Sequence, residues 1–265
     1  MMTNPYLPFK SRIIKIIPHT DIDFTFHMEY AGPVKPGQFF EVSLPKYGEA
    51  PISVSDIGEN YIGMTIRRVG AVTNTIHELR EGDTLFLRGP YGNGFAIEQY
   101  QGCEVIVAAG GTGLAPVKAI VDHFAAHRDE TPSFTLLAGF KSPQDILFRD
   151  DFKKWEQTLQ VTLTVDKAED ETYQGQTGLI TQYIKEIKFL NKEAAQVIVV
   201  GPPIMIKFTV AEFLRQGIRE ENLWVSYERK MCCGVGKCGH CKIDDTYICL
   251  EGPVFNYTKA KTLID

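Results

Sequence analysis

Four of the six cysteines in this 265-residue chain fall within ten residues, CCGVGKCGHC at 232–241, and Cys249 follows soon after. Cys233, Cys238, Cys241 and Cys249 read C-x4-C-x2-C-x7-C, and the first part of that pattern is the plant-type [2Fe-2S] spacing. Four thiolates can carry electrons through an iron–sulfur cluster, hold a structural zinc, or close as disulfides. Zinc ribbons usually use two paired C-x-x-C knuckles, and only one such pair exists here.

Compartment bears on the disulfide reading. The start MMTNPYLPFKSR has no apolar signal-peptide core, and no run approaches the ~20 apolar residues of a membrane span. The expectation is a cytoplasmic globular protein without a membrane role, in which thiols stay reduced and clustered cysteines bind metal or react. A net charge of −5 with no long basic run gives no electrostatic reason to expect nucleic acid. Cys103 stands alone before the apolar run EVIVAA and is expected to pack as a small hydrophobe.

Two further stretches could cradle phosphates. AAGGTGLAP, residues 108–116, sets Gly110, Gly111, Thr112 and Gly113 between a strand-like run and a helix, so that the backbone can turn sharply with its amides open to a pyrophosphate. Pro116 suits the first turn of that helix. The spacing falls short of the full dinucleotide fingerprint, and a tight turn without a ligand is the competing reading. VVGPPIM, residues 199–205, ends another strand-like run at Gly201 and Pro202; in a doubly wound sheet the two loops could flank one crevice. Earlier in the chain, APISVSD (50–56) sets Ser53 and Ser55 on one face of a strand. TIRRVGAVT (65–73) leads through Thr65, Ile66, Arg67 and Gly70 into a helix start at Val72-Thr73, a second possible anion site.

The elements needed to hold these loops follow two rhythms. Up to residue 99, short β-branched or alternating runs (SRIIKII, FTFHMEY, FFEVSL, ISVSD, YIGMTIRR, DTLFLRG) are broken by Gly- and Pro-rich turns. Six short strands suggest an antiparallel barrel, with VTNTIHELREG as its one helical interruption. From about Glu104, apolar strands (EVIVAA, SFTLLAGF, QVTLTVD, QVIVVG, NLWVSYE) alternate with helical stretches (APVKAIVDHFAAH, ILFRDDFKKWEQ, TGLITQYIKEI, IMIKFTVAEFLRQG), the rhythm of a doubly wound parallel sheet. Residues 229–265 have no clear period and begin with the cysteine cluster. The expected organisation is therefore a β-barrel at 1–99, an α/β domain at 100–228 and a small metal-binding segment at 229–265.

The ordered set PGQFFEVSL, APIS, IRRVGAVT, GDTLFLRGPYGNGF, AAGGTGLAP, VVGPPIM, CGVGKCGHC and EGPVFNY resembles the ferredoxin–NAD(P)H reductase superfamily over essentially the whole chain. It is most similar to the branch with a C-terminal iron–sulfur segment, which includes the electron-transfer subunits of dihydroorotate dehydrogenases and the γ subunits of sulfhydrogenases. GEAPISVSD, VVGPPIMI, YERKM and EGPVFNY bring it nearest to the electron-transfer subunits of anaerobic sulfite reductases.

That resemblance implies an FAD-binding barrel, an NAD(P)H-binding sheet and a [2Fe-2S] cluster on Cys233, Cys238, Cys241 and Cys249, with Cys232 outside the pattern and His240 a loop neighbour. Pro51, Ile52 and Ser53 match the flavin-holding segment, Ser53 near the reactive ring. Ala50 stands where the family has an arginine on the pyrophosphate. Arg67 and the Val72-Thr73 amides would have to replace it. A nicotinamide releases two electrons as hydride and a cluster accepts one, so a flavin must stand between them. Asp166 and the acidic KAEDE after it favour NADH over NADPH. The implied partners are a siroheme and iron–sulfur catalytic subunit and a ferredoxin-like subunit of a sulfite reductase complex. The alternatives are a dihydroorotate dehydrogenase or hydrogenase partner, and a non-redox zinc-ribbon module on the same fold.

Overall fold

The computed structural model describes residues 4–168 and 173–263. The alternating runs of the first third form six antiparallel strands, β1 (Phe9–Pro18), β2 (Asp23–Glu29), β3 (Phe39–Leu44), β4 (Gly48–Ile57), β5 (Tyr61–Arg67) and β6 (Thr84–Tyr91). They close as a barrel in the order β1-β2-β5-β4-β3-β6. Inward positions supply Phe26, Met28, Phe40, Val42, Met64, Ile66, Leu85 and Leu87, all fully buried. Burying such side chains stabilises the barrel by roughly 1.5–3 kcal/mol each relative to exposure. The short helix α1 (Ala71–Ile76) follows β5, and Ile76 joins the same core. It is shorter than its sequence pattern, because His77 already ends it in a turn in which the amides of His77, Glu78 and Leu79 return to Thr73, Thr75 and Ile76.

The second rhythm builds β7 (Val105–Gly110), α2 (Ala115–Ala126), β8 (Phe134–Phe140), α3 (Arg149–Trp155), β9 (Gln160–Val165), β10 (Gln176–Thr177), α4 (Ile180–Tyr183), β11 (Gln196–Val200), α5 (Pro203–Arg215) and β12 (Leu223–Ser226). Strands β7 to β12 run parallel, and every residue of β7 is buried, as a central strand covered on both faces requires. Two helices are shorter than their patterns. Ile146 is extended, Ile146 and Leu147 are buried outside any helix, and Phe148 takes a left-handed conformation (φ 54°) ahead of α3, so core packing overrides helical period there. TGLITQYIKEI begins as strand, because Gln176–Thr177 pair with β9, and only four residues remain for α4.

The last stretch carries the two-stranded β13 (Lys242–Ile243) and β14 (Thr246–Tyr247), α6 (Ile248–Glu251), β15 (Val254–Asn256) and α7 (Tyr257–Ala260). Strand β15 completes the large sheet, whose order is β10-β9-β8-β7-β11-β12-β15. The chain forms two compact units, residues up to Phe95 with Tyr227–Val254, and Ala96–Ser226 with Phe255–Ile264. The expected segment 229–265 is thus shared: its cysteines belong with the barrel, and its final strand and helix belong with the sheet. No helix among the described residues is long and apolar enough to cross a membrane.

Candidate functional site

In the cysteine loop the backbone turns its amides onto sulfur. Cys233 Sγ accepts from the N–H groups of Lys237 at 3.3 Å and of Val235 and Cys238 at 3.5 Å. Cys249 Sγ accepts from Gly236 at 3.3 Å, and Cys241 Sγ from Cys249 at 3.5 Å. Burial pushes the Cys233 thiol up, but its three amides outweigh burial and hold it below the usual thiol range. The His240 amide likewise holds Cys238 down. Burial pushes Cys249 up to about 12, and burial raises Cys232 as well. Amides directed at sulfur are what a thiolate ligand of a cluster receives. Among the described residues no amide of this kind reaches Cys232 Sγ, although it is the sequence neighbour of Cys233.

The cysteines group in twos. Cys238 donates its amide to Cys233 Sγ, and Cys249 donates its amide to Cys241 Sγ. A tetrahedral zinc draws four ligands to one point, whereas a [2Fe-2S] cluster needs two cysteines on each of two irons. The pairs fit the cluster.

The barrel candidates lie along one continuous path, Pro51, Ile52 and Ser53 on β4, Thr65, Ile66 and Arg67 on the neighbouring β5, and Gly70, Val72 and Thr73 at the start of α1. From Ala50 to Ser53 every residue of β4 keeps partial exposure, whereas Val54 and Ser55 are fully buried. That strip is where a flavin ring can lie.

Several side chains on this path are already engaged. Ile66 is in the barrel core, and its carbonyl meets His77 Nε2 at 2.9 Å. The Thr65 hydroxyl donates to Ser55 at 3.0 Å and contacts Thr25 at 2.7 Å. Thr73 Oγ1 accepts from the Val69 and Gly70 amides, which caps α1. Arg67 donates from Nε and Nη2 to both carboxylate oxygens of buried Asp23. The expected role of Arg67 at the pyrophosphate would thus fall to a guanidinium that already holds Asp23 through two of its nitrogens and keeps a third of its side chain exposed. What this path offers a cofactor is mainly backbone amides and the β4 strip. Ser53 and Ser55 are also not equivalent, because a bulge between Val54 and Asp56 interrupts the alternation and buries Ser55.

In the sheet, β7 and β11 are neighbours, although the chain winds outward through β8 and β9 between them. The winding therefore reverses at β7/β11, the switch point where open α/β sheets bind ligands. Gly110 ends β7 and Gly111, Thr112 and Gly113 follow it, and Gly201 and Pro202 follow β11, so both predicted loops meet at this point. A Cβ on Gly113 would lie 2.7 Å from the Val200 carbonyl oxygen and from the Gly201 Cα, so only glycine allows the approach. Gly111, at φ +56°, faces open space. The two loops frame the expected dinucleotide crevice. Asp166 follows β9 directly, with its carboxyl pKa raised by burial; Glu169, Asp170 and Glu171 of the acidic run lie outside the described residues.

Sequence reasoning missed a cluster of charge beside the cysteines. Arg88 on β6 is 6% exposed and pairs with Glu49 at 2.8 Å. Glu41 on β3 lies opposite both Pro51 and Arg88, is fully buried, and has no hydrogen-bond partner for either carboxyl oxygen among the described residues. Burial pushes its pKa up to about 8 against the lowering effect of Arg88. The only sequence signal was a glutamate within the strand FFEVSL and an arginine before GPYG.

Comparisons with known proteins agree with this geometry. Residues 107–211 match the family model described as an oxidoreductase NAD-binding domain, and residues 228–261 match the iron–sulfur cluster binding domain of dihydroorotate dehydrogenase B. The chain is 32% identical to the sulfhydrogenase 1 subunit gamma of Pyrococcus furiosus, over 96% of this chain and 92% of that one. It is 34% identical to a probable dihydroorotate dehydrogenase B (NAD(+)), electron transfer subunit, of Methanocaldococcus jannaschii, over 96% and 91% of the two chains. Among solved structures, an NADH-dependent reduced ferredoxin-NADP oxidoreductase, reported for flavin-based electron bifurcation, superposes with a TM-score of 0.76 at 25% identity, covering 99% of this chain and 94% of that one.

Proposed function

Because the chain belongs to the ferredoxin–NAD(P) reductase superfamily, in the branch that carries the iron–sulfur domain of dihydroorotate dehydrogenase B, we propose that it is the electron-transfer subunit of a larger reductase. The nicotinamide supplies a hydride, the FAD accepts two electrons and releases them singly, and the [2Fe-2S] cluster carries one at a time. This chain's residues position those groups. The Gly110–Gly113 and Gly201–Pro202 loops hold the dinucleotide phosphates, the Pro51–Ser53 strip and the amides at the start of α1 hold the flavin, and Cys233, Cys238, Cys241 and Cys249 bind the irons. The two-by-two grouping of the cysteines, each pair joined by an amide of one donating to the sulfur of the other, is the observation that carries the reading. Exposed Cys238 gives the cluster an edge toward a partner.

The relatives favour a catalytic partner of the sulfhydrogenase or dihydroorotate dehydrogenase kind. A sulfite reductase partner, with a siroheme and iron–sulfur catalytic subunit and a ferredoxin-like subunit, is the second reading, supported by GEAPISVSD, VVGPPIMI, YERKM and EGPVFNY. NADH is the expected donor, from the carboxylate at Asp166. Anaerobic purification of the native complex tests all of this. The chain itself should show flavin and [2Fe-2S] absorption that NADH bleaches. Co-purified siroheme with NADH-driven sulfite reduction selects the second reading, and hydrogenase or orotate chemistry selects the first. A colourless zinc protein would refute both.

A further inference from the structure

Arg88 uses all five of its N–H donors inside the barrel unit. Nε donates to Glu49 Oε1 at 2.8 Å, and Nη2 to Glu49 Oε2 at 2.8 Å and to the Cys232 carbonyl at 2.6 Å. Nη1 donates to the Cys233 carbonyl at 2.9 Å and to the Tyr91 hydroxyl at 3.2 Å. A guanidinium has five donors, so none is left over, and lysine with three on a single nitrogen cannot reproduce the set. Tyr91, whose hydroxyl also donates to the Pro5 carbonyl, is the seat for the next residue of the loop: a Cβ on Gly234 would lie 2.5 Å from the Tyr91 ring. A strand of the barrel thus grips the backbone of the first cluster ligand at two successive carbonyls.

We infer that Arg88 is the positioning residue of the iron–sulfur site, fixing the Cys232–Cys233 backbone against β6 and, with Glu49, setting the cluster's reduction potential. The inference rests on the functional reading above and goes beyond it by assigning residues outside the cysteine segment. Its physical basis is direct. Reduction adds one negative charge to a cluster, and buried charges within hydrogen-bonding distance of a ligand's backbone shift the energy of that step. Arg88 favours the reduced form and Glu49 offsets it. With Arg88 6% exposed, solvent screens the pair only from the Glu49 side.

The two partners therefore predict shifts of opposite sign. In the anaerobically reconstituted full-length protein, redox titration followed by electron paramagnetic resonance should give a more negative cluster potential for Arg88→Met and a more positive one for Glu49→Gln. Arg88→Lys should keep the potential close to that of the unmodified protein, because the charge remains, but broaden the cluster signal, because the fork is lost. A merely structural role would give shifts of one sign, or none. If Arg88→Met does not fold, Glu49→Gln decides alone: an upward shift supports the inference and an unchanged or lower potential overturns it. A protein without any cluster signal before substitution would overturn the functional reading and the inference together, whereas a normal cluster with unmoved potentials would overturn the inference alone.

Discussion

Arg67 holds Asp23 through two parallel hydrogen bonds, Nε to Oδ1 at 2.8 Å and Nη2 to Oδ2 at 2.9 Å, with the carboxylate buried beneath it. The pair joins β5 to β2 at the edge of the flavin path, where the two residues are register partners. Arg67→Ala would leave a buried carboxylate without its main counter-charge, and about 2 kcal/mol of stability should be lost, measured by denaturant unfolding. Asp23→Asn should tighten FAD by releasing part of the arginine's charge toward phosphate. Ala50→Arg should tighten it roughly tenfold or more in fluorescence titration, from a new charge-assisted hydrogen bond. Unchanged affinity in both tightening variants would show that cations on β4 and β5 do not face the pyrophosphate.

The amide pattern around sulfur separates two adjacent cysteines. Cys233→Ser, Cys238→Ser, Cys241→Ser and Cys249→Ser should each abolish or perturb the resonance of the reduced cluster. Cys232→Ser should leave it nearly unchanged, because only its carbonyl is held. Iron and sulfide analysis of the five proteins checks the assignment. Iron retained in Cys233→Ser and lost in Cys232→Ser would reverse it.

Entry of hydride and exit of single electrons depend on different residues. Cys238→Ser should still have its flavin bleached by NADH in stopped-flow mixing, while failing to support NADH-driven turnover with the partner subunits. Gly111→Asp should do the opposite. The open space around it leaves room for the side chain, the left-handed backbone at φ +56° strains aspartate less than most residues, and a carboxylate there repels the dinucleotide phosphates. Flavin reduction by NADH should slow at least about tenfold, since ~1.4 kcal/mol of repulsion suffices. Reduction by dithionite should be unaffected.

Glu41 should impose a pH dependence on folding. Its folded pKa is raised from 4.5 to about 8, so the folded protein binds more protons than the unfolded chain between those values. Its stabilising share is complete below 4.5 and is lost as pH rises toward 8, at a limiting slope of about 1.4 kcal/mol per unit. Glu41→Gln should flatten that part of the stability curve, whatever its effect at a single pH. Parallel curves for the two proteins between pH 5 and 8 would place the buried carboxyl's pKa near its ordinary value.

Most of this architecture is legible in the sequence because it depends on periodicity and glycine. The six strands, the β7 and β11 loops and the cysteine spacing are all local patterns. Local pattern fails where distant residues compete for the same segment. Phe148 leaves the helical pattern because the core buries Ile146 and Leu147 outside a helix, and β15 forms only once the sheet has an edge for it. The partnerships of Arg67 with Asp23 and of Arg88 with Glu49 and the cysteine loop join residues 39 to 145 positions apart, and no spacing rule connects such residues.

The division of the last forty residues between two units bears on how such a protein can be recombined. By sequence, 228–261 is one transferable block; by packing, it divides between Val254 and Phe255. A graft of this block onto another flavoprotein would need a host barrel with an equivalent of Arg88 and Tyr91, and a host sheet with a bare strand to receive β15. Deleting it would leave β12 as an uncapped edge, inviting pairing with other chains.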